Sequence, residues 1–374
     1  QSSRETGLPL DDPPRPPLHE GVQHRQEPAQ QADTVAHGDP QRPYPTFGLA
    51  LAALPQPLWN ALLPTAPLRY WHLIEFGQSS GSTGAPLTTR PIRIDEKILH
   101  YLTGIQHLDE RLESFVTRVG QPQALMPTHQ SIADRLVRSW STAADRRALP
   151  LLVLYGADRV SARLIVASAC RSLGLALHGL NAHALPSSAS ELHLFIRLWE
   201  REASLGSNAL LLNCDDADTN PSHEAHITEF IEKMNGPLIV ISRELRRIEN
   251  RSAITFEISR PGTLDQRTAW NSALLGLAQG LNGQLDLLTS QFSLNVAEIH
   301  AATAEANATQ DRASSFDTLW EACRKQTRSH LDLLTQPIEC NSTWDDLVLP
   351  ENQKEILHDI VVQERGRMHE LDGG

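Results

Sequence analysis

The chain has 374 residues, with 33 basic and 45 acidic side chains and a formal net charge of −12. This acidic balance argues against a nucleic-acid coat or a polybasic membrane binder, because phosphate contacts need clustered Lys and Arg. At roughly 100–200 residues per domain, the length allows two or three domains, each with its own core. We therefore expect a multidomain protein whose partners include neither nucleic acid nor a membrane.

The cysteine pattern is typical of a reducing compartment. The four cysteines lie far apart and form no CxxC pair: Cys170, Cys214, Cys323 and Cys340. Neither a zinc site nor a disulfide framework is expected from this spacing, and no metal ligand is assigned. No run approaches the roughly 18 apolar residues of a membrane span, and no signal peptide is recognisable. The sequence predicts a soluble, cytoplasmic protein.

The first third of the chain divides into a leader and a small mixed domain. Residues 1–45 carry 9 of the 24 prolines and almost no large apolar residues. Such a segment cannot offset its ordering entropy by burial, so we expect residues 1–43 to form a disordered leader. In residues 44–120, short apolar helices precede two strand-like pieces around a Gly/Ser loop, and a further helix follows. This order predicts a winged-helix-like α+β domain.

Residues 121–259 alternate apolar β runs with amphipathic stretches, which predicts an α/β domain with a buried parallel sheet. The predicted strands lie at 149–156, 175–180, 208–216, 236–242 and 252–259, and the predicted helices between them at 161–173, 188–205 and 222–235. The segment 107–147, before the first of these strands, is expected to be helical. A helical pattern runs through residues 260–334, and residues 335–374 are expected to form a linker and a last helix.

Gly156 follows the first strand of the predicted α/β domain, where a phosphate-binding P-loop would lie. The pattern GxxxxGK[ST] then falls on Gly156, Ser161, Ala162 and Arg163, so only its first glycine is present. Ala162 supplies no cation for the phosphates, and Arg163 is a poor ligand for Mg²⁺. Because phosphoryl transfer relies on positioning and charge neutralisation, this site should not support useful hydrolysis. An ordinary strand-to-helix turn is the alternative interpretation.

Polar residues also follow the third and fourth strands of the predicted α/β domain. Asp215 and Asp216 end the third strand, where nucleoside triphosphatases place the acids that orient Mg²⁺ and a water. Ser242 ends the fourth, where a polar sensor would contact a γ-phosphate. Acids at the end of a strand are also common loop residues. Their position one β-α-β unit after the degenerate P-loop nevertheless favours a relict nucleotide-binding fold.

Several segments together resemble one protein family. They are "PTFGLALAALPQPLWNALLPTAPLRYWHLIEF", "PLTTRPIRIDEKILHYLTG", "YGADRVSAR" and "WDDLVLP". This combination is similar to the bacterial AAA-type ATPases that carry an N-terminal winged-helix domain and two ATPase modules, and that are often associated with contractile injection systems. The resemblance extends over most of the chain after the leader.

The resemblance implies a parallel-sheet P-loop core with a helical lid. In the family the first ATPase module is inactive and the second carries the intact P-loop. Residues 156–163 correspond to the decayed first P-loop, Asp215 and Asp216 to its Walker B end, and residues 263–305 to the lid. "WDDLVLP" corresponds to the beginning of the second module, whose P-loop is expected to be missing from this chain. ATP and Mg²⁺ are thus implied as cofactors of complete members, but are not expected at the degenerate site here.

Three functions are compatible with these observations. The first is a non-catalytic, regulatory or assembly portion of an AAA-type ATP-binding protein, with other AAA-type subunits or a second module as partners. The second is weak ATP binding or slow hydrolysis, with Arg163 or a neighbour's arginine supplying charge. The third is DNA binding by the winged-helix-like domain, although a protein partner is favoured there because its charges nearly balance. Those charges are Arg69, His72, Arg90, Arg93 and Lys97 against Glu75, Asp95 and Glu96.

Overall fold

The computed structural model describes residues 44–56, 58–77, 86–120, 124–142, 149–214, 221–274, 284–308, 316–328 and 346–370. The chain divides into two compact units between His107 and Leu108. The predicted leader, 1–43, lies outside the described residues, as do the first residues of the predicted linker. The division falls before the predicted boundary at residue 120, because Leu112 and Val116 belong to a core cluster of the larger unit.

The smaller unit combines short helices with a two-stranded antiparallel sheet. Its elements are α1 (Phe47–Ala53), α2 (Pro67–Tyr70), β1 (Ile74–Phe76), β2 (Ile92–Ile94) and α3 (Glu96–Leu102). Strands β1 and β2 pair with Ile74 opposite Ile94, which confirms the two predicted strand-like pieces. The side chains of Thr46 and Asp95 accept hydrogen bonds from the first turns of α1 and α3, as polar N-cap residues do.

The larger unit is built on a six-stranded sheet. Its strands are β3 (Val116–Arg118), β4 (Leu151–Tyr155), β5 (Ala176–Asn181), β6 (Asn208–Asn213), β7 (Leu238–Ser242) and β8 (Ala253–Glu257). Their order across the sheet is β3-β5-β6-β7-β4-β8, and every pairing is parallel except that of β3 with β5. The five predicted strands are confirmed. The prediction that residues 107–147 are helical is wrong at Val116–Arg118, where β3 lies.

Helices cover both faces of this sheet. They are α4 (Glu110–Glu113), α5 (Pro127–Ser141), α6 (Arg159–Ser172), α7 (Ala189–Gly206) and α8 (Pro221–Lys233). Successive side chains of a strand point to opposite faces. Leu151 and Val153 therefore pack in one cluster with α7 and α8, and Leu152 and Leu154 in another with α5 and α6. Burial on both faces explains why the central strands β4, β6 and β7 are apolar runs rather than alternating ones.

Four more helices follow the sheet: α9 (Thr263–Ala273), α10 (Gln284–Gln291), α11 (Val296–Ala308) and α12 (Phe316–Arg328). They share a third core cluster, which contains Trp270 and Ile299 and also Met126, the residue before α5. The Thr128 hydroxyl donates to the Asp265 carboxylate at 2.5 Å and so ties α5 to α9. The last described helix is α13 (Glu351–Glu370). In the described ranges, none of the helices combines the length and apolar character needed to cross a bilayer.

Candidate functional site

The carboxyl ends of β4, β6 and β7 lie at the same edge of the sheet, because these strands are parallel neighbours. In open α/β sheets this edge is where ligands bind. The structure brings two of the predicted site residues together there, since the Gly156 N–H donates to the Ser242 carbonyl at 3.2 Å. Asp215 and Asp216, predicted as the Walker B end, lie outside the described residues.

The backbone around Gly156 explains why a glycine occurs at this position. Its φ is +137°, and a Cβ added here would lie 2.2 Å from the Ile258 carbonyl oxygen. The Ile258 N–H in turn donates to the Tyr155 carbonyl at 2.7 Å, so the segment after β8 crosses the turn closely. Only glycine combines this φ with this approach. The need for glycine therefore follows from main-chain packing and requires no phosphate.

Only two residues separate Gly156 from the beginning of helix α6. A P-loop places four residues between its glycines, and their N–H groups surround the phosphates. Here Arg159 is already helical, so Ala157 and Asp158 are the whole connection. Ser161 and Ala162, at the positions of the second glycine and the lysine, lie inside the helix and are buried. The loop that would cradle a phosphate is thus replaced by the first turn of a helix.

Asp158 is the N-cap residue of α6. Its Oδ1 accepts a hydrogen bond from the Ser161 N–H at 3.0 Å, and its Oδ2 accepts one from the Ser161 hydroxyl at 2.6 Å. The motif alignment missed this role. The signal was available, because Asp is one of the residues preferred at the N-cap of a helix.

The remaining predicted residues do not converge on a ligand position. Arg163 lies on the exposed face of α6, and Ala162 packs in the apolar cluster between α6 and the sheet. Ser242 is buried, and its hydroxyl donates to the Glu244 carbonyl at 2.7 Å within the turn after β7. Neither the cation nor the free hydroxyl that phosphate chemistry requires is presented by these residues.

An open cleft of about 470 Å³ lies beside Ser242, and its lining includes Cys214, Glu224, Arg243 and Arg246. Arg246 makes two hydrogen bonds to the Glu224 carboxylate, at 2.7 and 2.9 Å. The hydrogen bond from Arg246 lowers the pKa of Glu224 below its ordinary value. This pair was not predicted, because nothing in the sequence relates positions on separate elements. Among the described residues, no group of three or more His, Cys, Asp or Glu side chains is placed to hold a metal ion.

Comparison with known proteins assigns two segments of the chain. Residues 60–116 match the family model of a winged helix domain, variant, and residues 263–329 match that of the contractile injection system ATPase helical domain. A search of curated proteins finds no match. Among solved structures, a similar chain comes from the E. coli MS115-1 HORMA:CdnC:Trip13 complex, with 14% identity and a TM-score of 0.38 over 62% of this chain and 99% of that one. The protein thus carries a winged-helix domain and, after its α/β sheet, a segment similar to the helical domain of contractile injection system ATPases.

Proposed function

We propose that this chain is a non-catalytic, regulatory or assembly portion of an AAA-type ATPase, in which residues 121–259 form a degenerate ATPase core. The observation that carries the proposal is the early start of α6, which leaves two residues where a P-loop needs a phosphate-binding loop. The match of residues 263–329 to an ATPase helical domain supports the family side of the proposal. The position of that segment directly after the sheet supports its role as a lid.

The residues at the turn after β4 do not fit ATP and Mg²⁺. Hydrolysis of a nucleoside triphosphate needs a cation at the β- and γ-phosphates and a hydroxyl that holds Mg²⁺. Ala162 is apolar and buried, and Ser161 donates its hydroxyl to Asp158. We therefore derive no catalytic step for this chain and infer a role through binding to other subunits. Other AAA-type subunits, or a second ATPase module, are the partners we propose.

The nucleotide proposal is tested by titrating the chain with a fluorescent ATP analogue and by measuring phosphate release. We expect no saturable binding up to millimolar nucleotide and no release above the blank. The matched variant is Arg163→Ala, which should fold normally because Arg163 is exposed. Saturable binding that this variant loses would establish the alternative, in which Arg163 supplies the charge. Turnover abolished by Asp215→Ala would refute a non-catalytic role.

For the winged-helix domain we propose a protein partner rather than duplex DNA. Two of its five candidate cations are turned inward: the Lys97 ammonium donates to the His107 carbonyl, and the Arg69 guanidinium lies 5.4 Å from the Phe76 ring centre. Large apolar side chains are exposed instead, among them Trp59 at 65% and Leu102 at 68%. Duplex binding needs clustered basic side chains, whereas exposed aromatic and aliphatic groups are typical of protein interfaces.

A gel-shift titration with random-sequence duplex DNA tests whether the winged-helix domain binds DNA. We expect no shift at 50 mM salt, where phosphate contacts are strongest, and none at 200 mM. Arg90→Ala combined with Arg93→Ala removes two of the remaining candidate cations and serves as the control. A shift that weakens steeply with salt and disappears in this double variant would establish DNA binding.

The free thiols support the cytoplasm as the compartment we propose. Cys170 and Cys323 are free thiols, and both are buried. Burial raises the pKa of the Cys170 and Cys323 thiols to about 12, so both stay protonated at neutral pH. Such thiols are inert structural groups rather than nucleophiles.

A further inference from the structure

His178 is a buried histidine in β5, and one of its ring nitrogens is unpaired. The residue is 8% exposed, and its Nδ1 has no hydrogen-bond partner among the described residues. The imidazole packs against the Trp199 indole of α7 in a T-shaped arrangement, with the ring centres 5.5 Å apart. A charge on this ring would be buried without an acceptor at Nδ1, which is expensive.

The charged residue opposite His178 in the sheet is a base. Strand β3 pairs antiparallel with β5 and places Arg118 directly across from His178. Side chains of such a pair lie on the same face of the sheet, with Cβ atoms about 4.5–5.5 Å apart. The residue in register on the other side of β5 is Leu210 of β6, which is apolar and buried. A protonated His178 would therefore meet a like charge on one side and an apolar side chain on the other.

Helix α7 contributes the other charged residues near this ring, and they follow Trp199 in the chain: Glu200, Arg201 and Glu202. The Glu200 carboxylate accepts hydrogen bonds from the N–H and the side-chain amide of Asn235. Arg201 is paired with Asp109 of the segment before α4. Glu202 is 1% exposed and lies about one helical turn after Trp199. An ion pair between Glu202 and a protonated His178 would reverse the pH response expected from Arg118.

These surroundings favour the neutral form of the imidazole. Burial lowers the pKa of His178 below its ordinary value of 6.5, the main chain of Ala176 opposes this effect, and the charge of Arg118 lowers the pKa further. Because the folded-state pKa is below the unfolded-state value, the stability that the neutral ring contributes is complete above about pH 6.5. It is lost as pH falls below that value, by at most about tenfold in the equilibrium constant per pH unit.

Strand β3 is the element whose pairing this loss would weaken. It has three residues and lies at the edge of the sheet, where β5 is its neighbouring strand. One more main-chain bond extends the pairing, from the Val119 N–H to the Leu177 carbonyl at 2.9 Å. A short edge strand with few hydrogen bonds opens more readily than a central strand. Local opening at β3 is thus the expected response to a charge on His178.

We propose that His178 is a pH-sensitive switch, which holds β3 against β5 while it is neutral and loosens this pairing through repulsion of Arg118 when it is protonated. Helix α4 and β3 are the first elements of the larger unit, directly after its boundary at Leu108. Acid would therefore loosen the segment that joins the winged-helix unit to the sheet. The switch involves no nucleotide, so its failure would leave the proposed function standing.

The test is hydrogen–deuterium exchange of the full-length chain at pH 7.5 and pH 5.5, corrected for the intrinsic pH dependence of exchange. Both values lie above the range in which most carboxylates titrate. We expect the opening of residues 116–119 to increase several-fold at pH 5.5, relative to that of residues 208–213 in β6. His178→Phe keeps an aromatic ring beside Trp199 but cannot be protonated, so this ratio should no longer depend on pH.

Arg118→Met is a second variant, which leaves His178 in place and changes an exposed side chain. It removes the repulsion across the strand pair, so the increase in opening at pH 5.5 should be smaller than in the wild type. Circular dichroism at pH 7.5 would establish that both variants are folded. The matched control is His183→Gln, since His183 follows β5 and is exposed. This control should keep the full response of the wild type.

Three results would overturn the switch. An undiminished response in His178→Phe would show that another group titrates. Stronger protection of residues 116–119 at pH 5.5 would indicate that Glu202 binds the protonated ring. Equal loss of protection in β3 and β6 would show that acid unfolds the whole sheet rather than opening its edge.

Discussion

Replacement of Arg201 with Ala is expected to lower the free energy of unfolding of the larger unit by about 3–5 kcal/mol, the usual effect of removing one partner of a buried ion pair. Arg201 lies in α7, is 2% exposed and donates to the carboxylate of Asp109, which is itself buried. Without Arg201, the Asp109 carboxylate keeps Arg111 as its basic partner among the described residues and loses its ion pair with α7. Urea unfolding followed by circular dichroism measures the loss.

Arg111 supplies a matched control, because it binds the same carboxylate from an exposed position. Its guanidinium lies 2.6 Å from the Asp109 Oδ2, with the Arg111 side chain 38% exposed. Exposed ion pairs contribute little to stability, so Arg111→Ala should lower the free energy of unfolding by about 1 kcal/mol or less. If the two variants lost equal free energies of unfolding, burial of Arg201 would not determine the strength of its ion pair with Asp109.

The same carboxylate should make stability depend on pH. Burial alone would raise the pKa of Asp109, but hydrogen bonds from Arg111 and the charges of Arg111 and Arg201 lower it below the ordinary value of 3.8. A group with a lowered folded-state pKa stabilises the protein above its unfolded-state pKa, and this stability is lost as pH falls through the folded-state value. The difference between the wild type and Arg201→Ala should therefore be complete at neutral pH and shrink below about pH 4.

The central strands β4, β6 and β7 were predictable because they are buried on both faces and read as apolar runs. Strand β3 was missed because it has three residues, which is too short for a periodic pattern, and because its partner β5 comes much later in the chain. The pair of Arg201 and Asp109 was missed for a related reason. Both residues belong to charged helical segments, and only the folded chain shows that α7 lies beside α4.

The turn between the first strand of the α/β domain and the following helix was predicted, but its geometry was not. The motif alignment assumed a loop from Gly156 to Ser161, and the structure has a helix from Arg159. Asp158 carries the local signal for that earlier start, because Asp is a preferred N-cap residue. The approach of the Ile258 carbonyl to Gly156 has no local signal, since it depends on the pairing of β4 with β8. The sequence therefore showed where the glycine lies, whereas the requirement for a glycine there comes from tertiary packing.

Gly156→Ala is the variant that distinguishes main-chain packing from phosphate binding as the reason for this glycine. The new Cβ would lie 2.2 Å from the Ile258 carbonyl oxygen, so the main chain after β8 would have to move. That movement would break the Ile258 to Tyr155 hydrogen bond, and the alanine would also keep an unfavourable φ of +137°. We expect the free energy of unfolding to fall by about 4 kcal/mol or more, which is as large as the exceptional effects of backbone strain and overpacking. A glycine needed only for phosphate would tolerate alanine in the absence of nucleotide.

Gly174→Ala is the control, because Gly174 also has a positive φ, of +67°, but its added Cβ would meet nothing within 4 Å. Its cost should be about 1 kcal/mol, the penalty for a left-handed conformation alone. Thermal and urea unfolding of both variants, without nucleotide, gives the comparison. If Gly156→Ala were no more damaging than Gly174→Ala, the close crossing of the main chain at this turn would be refuted. The difference between the two variants combines the contact with Ile258 and the larger backbone strain at Gly156, because a φ of +137° lies outside the left-handed region that Gly174 occupies.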